Sequence, residues 1–221
     1  MPFNSVHSKP VGVDFNGSTI LAETIGFYTG YAFKEDKLNM SQRVLVVPGY
    51  GNSGATHWQS LWEAAKPGHW RRVKIEDWDH AVCDEWVAAI DREVAALGPD
   101  TIIVAHSLGC LAVVHWAMRH AVTIRGALLV AVPDPSAPAF PSAFCVGFSP
   151  VPSARLPFRN IVVASNDDPY AAIRYAKSCA SRWGSEFLDV GARGHLNAAS
   201  RLDDWAEGYQ LLQHFDASTL T

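Results

Sequence analysis

The 221-residue chain predicts a single α/β domain: a mainly parallel sheet with helices covering both faces. Three observations carry that expectation. Short apolar runs bounded by turn residues alternate with longer segments of helical periodicity, the pattern of successive β-α-β units. Hydrophobic residues make up 48% of the chain and charged residues 18%, which suits one sizeable core and excludes a disordered chain. A small-x-Ser-x-Gly segment, Ala105-His106-Ser107-Leu108-Gly109, stands where a buried strand hands over to a helix.

Residues 1–42 precede the first core strand and are read as an N-terminal extension, with 43–221 as the domain. Val11, Val13 and Phe15 ahead of Asn16-Gly17 form a hairpin signal. Met40 lies just before Ser41-Gln42-Arg43, where a minimal domain of this kind begins, so residues 1–39 are expected to be dispensable. A buried strand follows over 44–47, then a helix over 56–65 anchored by Trp58 and Trp62, and a short strand over 72–75. Val82, Trp86, Ala89, Ile90, Val94 and Leu97 recur at helical spacing over 81–97, and Gly98-Pro99 stops that helix. A strand over 101–105 leads into a helix over 108–120. Strands over 126–131, 161–164 and 186–190 then enclose a helix over 170–183, and a last helix covers 202–215. Strands separated by helices call for right-handed crossovers and a sheet buried on both sides.

The segment 132–157 falls outside this rhythm. It contains Pro133, Pro135, Pro138, Pro141, Pro150, Pro152 and Pro157, with Phe140, Phe144, Phe148 and Val151 between them. Such a stretch cannot be a regular helix or a central strand. Two readings stay open: an apolar wall or lid beside the site, with Phe144 and Phe148 meeting substrate, or a loop that merely covers the core.

The serine segment has the form of a nucleophile elbow, a tight turn that lifts a hydroxyl above the sheet. Ala105 stands where glycine is usual and is the smallest residue that keeps a Cβ. Serine is a poor nucleophile until a histidine takes its proton, and the histidine needs a carboxylate to fix its tautomer. Downstream, the strand 161–164 runs into Ser165-Asn166-Asp167-Asp168-Pro169, and the strand 186–190 into Gly191-Ala192-Arg193-Gly194-His195. All these loops open at the C-terminal edge of a parallel sheet, so Ser107, an aspartate and His195 can meet there. Pro169 disfavours a helical conformation at Asp168. Asp168 is therefore the favoured acid, with Asp167 expected to cap the helix that begins near Pro169. His106, directly before the serine, is expected to face away from it. For an oxyanion hole, the elbow offers the Leu108 amide, and the loop Pro48-Gly49-Tyr50-Gly51-Asn52 offers the Tyr50 amide. Gly49, His57 and Trp58 are candidates for the substrate pocket, with a core anchor as the other reading of Trp58.

These segments together resemble a known family. Val46-Val47-Pro48-Gly49-Tyr50-Gly51, His57-Trp58, Asp77-Trp78-Asp79, Ala105 to Cys110, Ala164 to Pro169, and Gly194-His195-Leu196-Asn197 are similar to the small serine hydrolases grouped with retinoblastoma-binding protein 9 and the bacterial YdeN-like proteins. The resemblance runs from about Arg43 to about Phe215. It implies a minimal α/β-hydrolase without a large cap domain and a serine hydrolase or carboxylesterase activity. It places the acid on the aspartate before the proline, which is Asp168, and the nucleophile and base on Ser107 and His195.

The net charge of −4, with no cluster of basic residues, argues against a nucleic-acid surface. No apolar run approaches the roughly 20 residues that span a bilayer, and no secretory signal is seen at the N-terminus. Cys83, Cys110, Cys145 and Cys179 have no metal-binding spacing and read as reduced, buried thiols of a cytoplasmic protein. No metal or cofactor is expected, and the expected partner is a small ester or acyl substrate. The expected reaction is cleavage of a carboxylic ester or thioester through an acyl-enzyme on Ser107. The alternatives are a peptidase or amidase with the same triad, and a partner-binding protein that retains the fold.

Overall fold

The computed structural model describes residues 43–120 and 122–215; the readings of residues 1–42 lie outside them. In chain order the elements are β1 (Arg43–Val47), α1 (Trp58–Ala65), β2 (Trp70–Arg72), β3 (Ala81–Val82), α2 (Cys83–Leu97), β4 (Thr101–His106) and α3 (Leu108–Arg119). They continue with β5 (Gly126–Val130), β6 (Cys145–Val146), β7 (Asn160–Ala164), α4 (Ile173–Trp183), β8 (Glu186–Asp189) and α5 (Ala206–Gln210). Six strands form one sheet in the order β2-β1-β4-β5-β7-β8. Every pairing in it is parallel.

Side chains alternate across the sheet, and each face has its own core. Leu45, Val47, Ile103, Ala105, Ala127, Leu129 and Val162 pack with residues of α2, α3 and α4. Val44, Ile102, Val104, Leu128, Val130, Ile161 and Val163 pack on the other face with Trp58, Trp62, Trp205, Leu212 and Phe215. Both faces being covered explains why the central strands read as unbroken apolar runs. Helix α3 is buried continuously from Leu108 to Ala117, as suits a helix enclosed by its neighbours.

Several boundaries differ from expectation. The strand expected over 72–75 pairs instead as Trp70–Arg72 against Val44–Val46. Trp70 packs edge-on to Trp62 and stacks on Tyr209, and Arg72 bonds to Glu63, Asn52, Ser60 and the Ser53 carbonyl. Those contacts set the pairing. The helix expected from residue 81 begins at Cys83, because Ala81 and Val82 pair with Cys145 and Val146 in a small separate sheet. The last helix starts at Ala206 and passes into a 3-10 turn over Leu211–Phe215. Trp205 stands at φ 39°, outside helical space, so no helix can run through it.

Among the described residues no helix is long and apolar enough to cross a membrane.

Candidate active site

The loops after β1, β4, β7 and β8 leave the same edge of the sheet and converge. Ser107 joins β4 to α3 at φ 52° and ψ −125°, a conformation that L-residues hold only under constraint. The constraint is visible on both sides. The Ser107 amide donates to the Val130 carbonyl at 2.9 Å, and the Cys110 amide donates to the Ser107 carbonyl at 2.9 Å. A Cβ at Gly109 would lie 2.4 Å from the carbonyl oxygens of Val47 and Pro48, and one at Gly49 would lie 2.8 Å from the Ser107 Cβ. Strand, helix and the loop after β1 therefore meet at a distance that only glycine permits.

Ser107 Oγ lies 2.8 Å from His195 Nε2. His195 Nδ1 lies 2.9 Å from both carboxylate oxygens of Asp168. A carboxylate only accepts, so Nδ1 carries the ring proton and Nε2 is left to accept from the serine hydroxyl. The side chains of His195 and Asp168 are 8% and 4% exposed, which places this chain of bonds largely out of water. Asp168 also accepts the Tyr170 amide at 2.8 Å, and the Tyr170 ring packs against that of His195 with centroids 4.4 Å apart.

The loop carrying His195 is tied down by side chains from three other segments. Asp167 accepts the Gly194 amide at 2.7 Å, and Ser165 Oγ accepts the Arg193 amide at 2.8 Å. His106 Nε2 donates to the His195 carbonyl at 2.9 Å. Trp58 Nε1 donates to the Leu196 carbonyl at 2.8 Å. Asp167 is thus not a helix cap: α4 starts only at Ile173, and Asp167 bridges the Ser165 hydroxyl to Gly194. The Ser165 hydroxyl, followed by the Gly194 amide, holds its carboxyl below the usual range.

A cavity of about 350 Å³ opens over Ser107. Gly49, Tyr50, His57 and Leu108 line it, and Tyr170 and His106 line it as well. The apolar wall comes from Pro133, Ala139, Phe140 and Pro141 of the proline-rich segment. Three expectations need correction. Phe148 is 1% exposed and packs in the core against Trp86 and His115. Phe144 lies on the surface against Tyr50 and His80, outside the cavity lining. Trp58 is a buried anchor in a cluster with Trp62 and Trp205. In an irregular segment no periodicity marks which aromatic turns inward, so Phe140 carried no sequence signal of its own. Tyr170 had one available: it directly follows the Asp168-Pro169 pair.

The Leu108 amide begins α3, where no helical carbonyl lies behind it. In the loop after β1, the Gly51 and Asn52 amides bond to the carbonyls of Trp78 and Gly49. The Tyr50 amide makes none of the backbone bonds found among the described residues. Two amides at the cavity, adjoining the serine, suit a developing oxyanion.

Other nucleophiles nearby are weak. Cys110 is buried and donates to the Val130 carbonyl at 3.3 Å, and burial pushes its thiol well above the usual range. Burial likewise pushes Cys145, in the cavity wall, up to about 11. The rings of His57, His106 and His195 follow one another with centroids 4.7 and 5.0 Å apart. Even so, no group of His, Cys, Asp or Glu among the described residues could hold a metal ion.

A family model described as serine hydrolase matches residues 44–214. The chain belongs to the serine hydrolase family. Among solved structures, this serine hydrolase is similar to a YdeN-like hydrolase from Pectobacterium atrosepticum. The identity is 33%, covering 79% of this chain and 90% of that one, with a TM-score of 0.69. It is also similar to the ydeN gene product of B. subtilis, at 20% identity over 79% of this chain and 98% of that one, TM-score 0.65. Est816, an N-acyl homoserine lactone degrading enzyme, shares the fold at 13% identity over 79% of this chain and 93% of that one, TM-score 0.61. A comparison with curated proteins found no match. The protein is a hydrolase on a minimal α/β-hydrolase fold, with no cap domain among the described residues.

Proposed function

We propose that this serine hydrolase cleaves a carboxylic ester or thioester through an acyl-enzyme on Ser107. The observation that carries the reading is the bond chain from Ser107 Oγ through His195 to Asp168 at the cavity. His195 Nε2 takes the hydroxyl proton as Oγ attacks the carbonyl carbon, and Asp168 stabilises the imidazolium. The oxyanion is met by the Leu108 and Tyr50 amides, each such donor contributing about 2.7–4 kcal/mol in the transition state. The imidazolium then protonates the departing alcohol or thiol. Water, deprotonated by the same nitrogen, attacks the acyl-enzyme and frees Ser107. A small cavity with an apolar wall suits an acyl group, and the same fold carries the lactone-degrading activity of Est816.

Turnover of matched nitrophenyl esters and nitroanilides tests this reading. Ester cleavage well above anilide cleavage is the expected result; preferential anilide cleavage would make the protein an amidase, and inertness to both would contradict hydrolysis of an ester.

A further inference from the structure

We propose that His57 is a specificity-determining donor, its Nε2–H holding a neutral oxygen acceptor of the substrate, a carbonyl or ether away from the bond that is cleaved. The inference rests on the ester-hydrolase reading of Ser107.

His57 caps α1: its Nδ1 accepts the Gln59 amide at 3.2 Å. A ring nitrogen that accepts carries no proton, so the neutral imidazole has its one hydrogen on Nε2. His57 is only 4% exposed, and among the described residues nothing accepts from that Nε2. Its neighbours have used theirs. His106 Nε2 is committed to the His195 carbonyl, His195 Nδ1 to Asp168, and Trp58 Nε1 to the Leu196 carbonyl. His57, which carries the one ring donor left unpaired in this group, is among the residues lining the cavity that also holds Ser107 and Leu108, its Nε2 itself buried at the cavity wall.

The ring's charge state selects the kind of acceptor. The titratable groups facing it are Arg72, His106 and His195. Burial first, then repulsion from Arg72 and His195, lowers its pKa to about 4. At neutral pH it is an uncharged donor, matched to an uncharged oxygen rather than a carboxylate. A plain alkyl chain leaves this N–H buried and unpaired, so the cavity discriminates against such a chain.

Two substitutions separate the cap from the donor. His57→Asn keeps an acceptor near the Nδ1 position and removes the Nε2 donor. His57→Gln places an amide N–H near Nε2 and gives up the cap. Two series of nitrophenyl and alkyl esters serve as probes, one replacing successive acyl methylenes by ether oxygen and one doing so in the alcohol half. The readout is kcat/KM for each oxygen ester relative to its methylene partner in the same protein, so any general loss of activity cancels. Thermal melts accompany it. At one oxygen position the wild-type ratio should exceed that of His57→Asn by about tenfold, with most of the preference retained in His57→Gln, which should melt lower. Ratios unchanged in His57→Asn at every position, with plain esters still cleaved, would overturn the proposal. Wild-type protein inert toward every ester would overturn the ester reading and the proposal with it, a distinct result.

Discussion

At Asp168 and Asp167 two adjacent carboxylates hold the same histidine in different ways. Asp168 meets the ring at Nδ1, and Asp167 meets the backbone one residue earlier, at the Gly194 amide. Asp168→Asn would offer an N–H to Nδ1 and favour the wrong tautomer, which costs up to about 10⁴ in kcat where such a triad has been altered this way. Asp167→Asn keeps a carbonyl oxygen that can still bridge Ser165 and Gly194, so its effect should be mild. Steady-state kinetics on one ester separates the two, and the reverse ranking would move the acid one position. Ser107 and Asp168 were legible because each follows a buried apolar strand, and His195 because it follows β8 in the chain order that puts the histidine last. The positioning work of Ser165 and Asp167 was not. It depends on contacts between loops 26 or more residues apart, and nothing local announces such contacts.

At the scale of the element, the strand–turn–helix around Ser107 holds a residue in left-handed space so that its hydroxyl can reach His195. Strain of this kind costs on the order of 1–3 kcal/mol. Glycine relieves it, offset by roughly 0.5–1 kcal/mol of extra backbone entropy in the unfolded chain. Ser107→Gly should therefore be more stable than Ser107→Ala by about 1 kcal/mol, as read by urea denaturation. Equal stability would mean that the turn is relaxed. The helices and the six strands of the main sheet were readable from periodicity, β3 and β6 were not, and ends were set by tertiary partners. Trp70 and Arg72 draw β2 toward the ring cluster and the loop after β1. Val82 leaves the expected helix for a strand pair with Val146.

For the whole molecule, alternation of strand and helix was enough to predict a parallel sheet covered on both faces, because only crossover connections join such strands. The strand order was not readable, since pairing is a long-range matter. Burying His57 and His106 between the sheet and its loops has a consequence for stability. Both pKa values are lowered, chiefly by burial, His57 from 6.5 to about 4. Between those limits the unfolded chain binds more protons than the folded one, so stability is fully present above about 6.5 and falls as pH drops toward 4. His57 alone should contribute a loss on the order of 2–3 kcal/mol across that window. Asp77 and Asp167, held below the usual carboxylate range by hydrogen bonds, add their loss only at lower pH. Urea midpoints from pH 7 to 4 should show the decline, and His57→Asn should make it shallower while the His106 share remains; an unaltered slope would place the titrating group elsewhere. The central claim, an activated serine at position 107, is tested most directly by a fluorophosphonate probe and intact mass on the folded protein. One adduct per chain, absent from Ser107→Ala, is the predicted result. No adduct on the wild type, or one that persists in Ser107→Ala, would contradict it.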